Sequence, residues 1–284
     1  MAGFNSRDHI INNITNLGQV QVVNFQKNQA QIPTVSTWQT LWNGSGTPTA
    51  GSFTNTGAQT SSTQGALQVP ALSSLSPYLI SFGAVATNNC TLMVYDRLFV
   101  SSENTANTVT NVAKSYTTTI NSTTALPRYA GLATGGNALL NEAWLEFSAI
   151  LTTTGNITAL SYGDGGAPAT NVGNPVSLSS VNIPIVPSGS AVGTMFQLPL
   201  GGTTRGVKSV TGVTFNAGVA GSHRVVILRP LARIPLLANI WNEVSFLDDV
   251  LGLPTIEANP CLGLAILGPS TATNVYGSMT WAYA

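Results

Sequence analysis

The chain has 284 residues, ten of them Lys or Arg and ten Asp or Glu, so its formal net charge is zero and only 7% of it is charged, against about 25% in an average soluble domain. Apolar residues make up 43%, so the missing charge is replaced by Ser, Thr, Asn, Gln and Gly, which argues against charge-driven disorder. The lack of a basic surplus argues against nucleic acid as a partner, and a monomer this poor in charge has little electrostatic protection against association, which points to a protein that exists assembled.

The opening MAGFNSRDHIINNITNLG has no apolar stretch of the secretory-signal kind. No window approaches the roughly 18 consecutive apolar residues of a spanning helix, so no membrane partner is expected. Residues 5–17 read as a short amphipathic helix. Ile10, Ile11, Ile14 and Leu17 fall on helical spacing, Asn5 or Ser6 can cap its start, and Gly18 can end it. Nothing local offers that apolar face a partner, so the helix either folds back on the body or docks on a neighbouring subunit.

Between Asn28 and Tyr95 there is no Asp, Glu, Lys, Arg or His, and residues 44–68 are rich in Gly, Ser and Thr. That composition alone suits a flexible linker. The flanking Trp38, Trp42 and Phe53 argue for an extended arm or long loop pinned at intervals.

Beyond residue 77 the sequence predicts strands at 78–85, 91–100, 143–151, 206–215, 224–230, 261–267 and 275–283. All are rich in β-branched and aromatic residues and bounded by Gly, Pro, Asn and Ser clusters. Weaker strand signals lie at 19–25, 156–162 and 175–183, and a helix is expected over 240–252, ended by Gly252 and Pro254. In RVVILRPLARIPLLAN the strand is expected to leave the sheet at Pro230 and Pro235. The expected fold is all-β, an antiparallel β-sandwich of jelly-roll type. Residues 1–75 form a helix and extended arm, and residues 76–284 form the sandwich domain.

Catalytic patterns are sparse. The two histidines, His9 and His223, lie far apart, and no metalloprotease, nucleophile-elbow or phosphate-loop motif occurs. Glu142 and Glu146 can share one face of a strand, the raw material of glycosidase chemistry, yet a solvated or inter-subunit face explains them as well. Asp248 and Asp249 read as surface charge, and GDGG at 163–166 as a hairpin turn, since a calcium site needs about six to eight oxygens. No cofactor and no metal is expected. Cys90 and Cys261 read as buried thiols.

Five arginines stand in apolar or glycine-rich surroundings: Arg128, Arg205, Arg224, Arg229 and Arg233. An unpaired buried charge costs several kcal/mol, so each must find carboxylates or carbonyls. With only ten acids in the chain, partners on another subunit are one answer, and stem-buried arginines at strand ends are the other.

Several short motifs carry a resemblance when taken in order: FNSRDHIINNIT, LPRYAG, LPLGGTTRGVKSV, VVILRPLARIPLLA and the final VYGSMTWAY. Together they resemble a family of tailed-bacteriophage virion structural proteins. The charge-free segment 28–95 matches it least. The resemblance implies a non-enzymatic head protein, a decoration or cement protein that binds the phage major capsid protein on the outer face of the shell as a homotrimer. It would be made in the bacterial cytoplasm and reside on the virion. On that reading Arg128, Arg229 and Arg233 are candidate subunit-interface residues, and Ile10, Ile11, Ile14 and Leu17 candidate capsid-anchoring residues. The alternatives are a jelly-roll major capsid protein, a tail or fibre component, or a carbohydrate-binding module that attaches to host-surface glycans, with a glycoside hydrolase more remote.

Overall fold

Strands dominate because β-branched and aromatic runs bounded by turn residues pack well on pleated surfaces. The computed structural model describes residues 4, 6–32, 37–70, 75–106, 113–118, 140–150, 155–164, 176–186, 191–201, 206–215, 221–247, 254, 256, 259–268 and 271–284. Within them α1 (Arg7–Thr15) is followed by β1 (Val20–Asn28), β2 (Trp38–Thr40), β3 (Gly46–Thr47), β4 (Gly57–Ala58), β5 (Pro77–Ala86) and β6 (Cys90–Val100). Next come β7 (Asn104–Ala106), β8 (Ala113–Thr118), β9 (Glu142–Phe147), β10 (Gly155–Asp164), β11 (Val176–Val186) and β12 (Thr194–Gln197). The chain ends with β13 (Val207–Phe215), β14 (Gly221–Leu236), β15 (Asn242–Ser245), β16 (Leu262–Leu267) and β17 (Asn274–Tyr283). The protein is all-β with antiparallel sheets.

Six strands close into a barrel in the order β6, β16, β2, β12, β9, β14 and back to β6, and β4 and β7 extend it at β6 and β14. A five-stranded sheet, β15-β5-β17-β1-β3, covers one flank, and a four-stranded sheet, β11-β10-β13-β8, covers another. Between the barrel and the five-stranded sheet lie Leu92, Val94, Ile234, Leu262 and Leu264 from the ring against Phe25, Phe82, Met279 and Trp281. Between the barrel and the four-stranded sheet lie Leu145, Phe147, Val225 and Ile227 against Leu160, Tyr162, Val210 and Val213.

β14 serves both cores, and this corrects the expected exit at the prolines. The strand runs unbroken through Pro230 and Pro235, paired to β6 from Val226↔Val100 to Leu236↔Cys90. A register shift between Pro230 and Ala232 inserts an extra residue and flips the side-chain phase. Val225 and Ile227 therefore face one core, and Ala232, Ile234 and Leu236 the other. Pairing to β9 stops at Leu228, so both prolines lie where the strand has a free edge, the position a residue without an N–H tolerates.

Two further expectations are corrected. Residues 1–75 are no peripheral arm. β1 runs beside β17 from Val20↔Ala282 to Asn28↔Asn274, and β2 lies inside the ring between β16 and β12. The charge-free loop after β2 is pinned by a buried Trp42 and by the Leu67 amide, which donates to the Leu262 carbonyl at 2.9 Å. Over 242–245 the expected helix is instead the edge strand β15, paired to Ser81–Ala84 of β5, because Asn242 and Val244 alternate with the exposed Glu243 and Ser245. The rest of that prediction, including Asp248 and Asp249, lies outside the described residues.

The N-terminal helix forms as expected, with the Ser6 hydroxyl accepting from the His9 amide at 3.1 Å. It folds back on its own chain. Ile10 is fully buried with Ile80 and Ala282, Ile14 packs against them, and the Asn13 side chain donates to the Tyr283 carbonyl at 2.9 Å.

Candidate functional site

The barrel interior holds a buried ion pair. Strand alternation sends Met93, Tyr95 and Arg97 of β6 inward together with Trp144 and Glu146 of β9, while Leu92 and Val94 face outward. Arg97 and Glu146 meet in a bidentate pair, Nη1 to Oε1 at 2.8 Å and Nη2 to Oε2 at 2.5 Å, and both side chains are buried. Burial works to lower the Arg97 pKa, but the charge and hydrogen bonds of Glu146 outweigh it and raise the value, so the guanidinium stays charged. It also lies 4.9 Å over the Trp42 ring. Burial pushes the Tyr95 phenol up to about 12, and its hydroxyl shares a 3.0 Å hydrogen bond with Thr40. Gly263 of β16 gives the ring its room, since a Cβ there would come within 2.7 Å of it.

A second pair closes one mouth of the barrel. Arg233 Nη2 donates to both oxygens of Glu142 at 3.2 Å, and its Nε donates to the Met93 sulfur at 3.4 Å. The guanidinium lies 5.7 Å from the Trp38 ring centroid, and Trp144 Nε1 donates to the same carboxylate at 2.9 Å. Burial nevertheless raises the Glu142 pKa, against the pull of Arg233. Beside this pair opens a cleft of about 440 Å³ walled by Leu198, Pro199, Leu200 and Pro230. A third pair joins the buried Arg224 to Glu103. Burial acts to raise the Glu103 pKa, but hydrogen bonds from Ser222 and Arg224 prevail and hold it below the usual carboxylate range.

The structure thus answers for Glu142 and Glu146. They do share one face, and each is engaged by a guanidinium. His223 is buried between Phe147 and Phe215, with centroids at 5.9 and 5.3 Å, while His9 caps Phe4 on the helix at 5.3 Å. Among the described residues no group of three His, Cys, Asp or Glu gathers to hold a metal. Cys90 and Cys261 are both buried and free, and burial pushes the Cys90 thiol up to about 11.

Of the candidate interface residues, Arg233 meets its own chain's Glu142, and Arg229 is half-buried opposite Asp96 in the β14–β6 register. Arg128 and Arg205 lie outside the described residues. Of the candidate anchoring residues, Ile10 and Ile14 are occupied by their own body, which corrects the anchoring role for them, and only Ile11 and Leu17 face outward. Arg97 was absent from the arginines that the sequence singles out. The signal was there: one cation in YDRLFV, in phase with Met93 and Tyr95.

One further buried cation lies outside the barrel. The Lys27 amine donates to the carbonyls of Gly44 at 3.0 Å and Thr49 at 3.4 Å, and burial lowers its pKa to about 8.

Fold and site together define an all-β protein whose closed barrel is stapled internally by guanidinium–carboxylate pairs. No family model matches the chain, and no curated protein matches it. Among solved structures, one of infectious bursal disease virus, Gt strain, aligns over 93% of this chain and 80% of that one at 9% identity, with a TM-score of 0.17. A score that low identifies no common fold.

Proposed function

We propose that this chain is a non-enzymatic structural protein of a tailed-phage virion, a decoration protein that binds the outer capsid surface as a trimer and stabilises the shell. The observation that carries the reading is where the charge goes. Six of the chain's few charged residues are neutralised in three pairs within the chain, and one of those pairs, Arg97–Glu146, is wholly buried. Meanwhile Val22, Leu237, Ile240, Trp241 and Tyr276 are held exposed on ordered strands and turns. Surfaces of this kind are covered in their working state. The jelly-roll description belongs to the same proposal, and the larger core, enclosed between the five-stranded sheet and the facing barrel wall, supports it. Cryo-EM of intact virions tests the reading. The expected result is a layer of this protein over another shell protein. A continuous shell made of this chain would make it the major capsid protein, and its absence from the particle would overturn the proposal.

A further inference from the structure

Two features at opposite ends of one strand segment complement each other. After β14 the chain turns over residues 237–241, and the turn is braced. The Asn239 amide donates to the Ala86 carbonyl at 2.8 Å, and the Ala238 amide to Asn89 Oδ1 at 2.7 Å. The Trp241 ring lies against Gly83, where a Cβ would come within 2.6 Å of it. From this base Leu237, Ile240 and Trp241 project 53%, 54% and 49% exposed. Exposed apolar side chains are ordinary one at a time, but three on one rigid turn form a patch. Beside them Glu243 is exposed and accepts from Trp241 Nε1 at 3.3 Å.

The second feature is the cleft of about 440 Å³ at the barrel mouth. Its wall is aliphatic at Leu198, Pro199, Leu200 and Pro230, and its polar groups are Asn141, Gln197 and the Glu142–Arg233 pair, with Arg233 43% exposed. Arg233 spends Nη2 on Glu142 and Nε on Met93, and its Nη1 makes no hydrogen bond among the described residues. On its rim Leu140 is 65% exposed and holds a φ of 72°, a left-handed conformation that a leucine adopts only under constraint.

We propose that the braced turn of one copy seats in this cleft on a second copy, with Trp241 against the Leu198–Leu200 and Pro230 wall and Glu243 on Arg233 Nη1. The cleft is the size of sites that take an indole with a neighbouring aliphatic group. The polar groups are complementary: the Glu243 carboxylate on the turn is an acceptor, and Arg233, paired through Nη2 with Glu142, keeps Nη1 as a spare donor facing it in the cleft. The turn's own bonds hold it against β5 and the loop that follows that strand, leaving its apolar side chains to a second copy. Contact between two different patches is heterologous and yields a ring where the rotation closes. This deepens the proposed function, since it rests on the assembled state and names the joint.

Sizing with light scattering on the full chain tests the joint, using Trp241→Glu for the turn and Leu200→Arg for the cleft. Each variant alone should run at monomer mass, with association weakened at least ~30-fold, as loss of a central aromatic anchor produces. A 1:1 mixture should regain a two-chain species, because one variant keeps an intact cleft and the other an intact turn. Circular dichroism verifies folding, and Ile240→Asp and Pro199→Glu replace any variant that fails to fold. Wild-type mass retained by either variant, a monomeric mixture, or a monomeric wild type at 100 µM (roughly the range of weak specific contacts) overturns the joint. None of these outcomes touches the virion location, which the reconstruction decides separately.

Discussion

Removing the carboxylate at the centre of the barrel is the sharpest test of what holds this fold. Arg97 and Glu146 are 1% and 0% exposed and touch at 2.5 and 2.8 Å. In an effective dielectric of about 20, contact at such separations corresponds to roughly 5 kcal/mol of attraction. Most of it offsets the desolvation of the two groups, so the pair itself adds little net stability. Glu146→Gln keeps the shape and leaves the guanidinium buried without its counter-charge. The expected loss is about 3–5 kcal/mol, a large share of the ~5–15 kcal/mol that holds a typical domain together. Replacing both groups, Arg97→Met with Glu146→Leu, should return stability to within about 1 kcal/mol of wild type or above it. The assay is guanidinium chloride unfolding followed by far-UV circular dichroism and by tryptophan fluorescence, with all four corners of the cycle measured. A Glu146→Gln loss below about 1 kcal/mol, or a double variant as unstable as the sum of the two singles, would refute the claim that an uncompensated charge is what the structure cannot tolerate.

Other consequences can be measured on the same protein. Lys27 has its folded pKa lowered to about 8 from 10.5, so between those values the unfolded chain binds the extra proton and stability should rise with pH. The gain should approach at most ~3 kcal/mol, at about 1.4 kcal/mol per unit. Below pH 8 both states are protonated and no slope is expected from this group. The difference between wild type and Lys27→Met isolates the effect from other groups that titrate there, and a flat difference across the window would sink it. Gly263→Ala drives a methyl into the Tyr95 ring at 2.7 Å and should lower stability by about 1–3 kcal/mol; an unchanged melting midpoint would show that the ring gives way freely. Ile10→Ala should destabilise the fold by about 2 kcal/mol or more, whereas the outward Ile11→Ala should stay within ~0.5 kcal/mol. The reverse order would mean that the helix does not dock as described.

Long strands with two-residue alternation were legible from the sequence. VYGSMTWAY and TLMVYDRLFV read out their positions to within a few residues, because burial on one side imposes the pattern that the eye detects. What stayed hidden depended on partners distant in the chain. β2 is three residues long and is a strand only because β16 and β12 flank it, so no local propensity marks it. The two prolines of β14 read as a stop because a central strand excludes them, and only the pairing shows that this half of the strand has a free edge. NEVSFLDDV has helical spacing, yet pairing with β5 overrode it at residues 242–245. The arginines posed the right question about who pairs them. For Arg233 and Arg224 the answer lies in their own chain, on acids far away in sequence, and composition carries no trace of that.

The pairing of β1 with β17 has a consequence for how the protein is made. Val20 is synthesised well before its neighbour Ala282, which follows about 260 residues later. At synthesis rates of ~5–20 residues per second that interval is on the order of ten seconds to a minute. Throughout it a strand carrying Val20, Val22, Val23 and Phe25 waits with its β17 edge bare, its other edge meeting only the short β3 at Gln26 and Lys27, and the five-stranded sheet cannot be completed. Anything that slows translation after β6 therefore lengthens the time in which that strand can find the same strand of another nascent chain. Yield of soluble protein should depend on the speed and shielding of synthesis as much as on the stability of the finished fold.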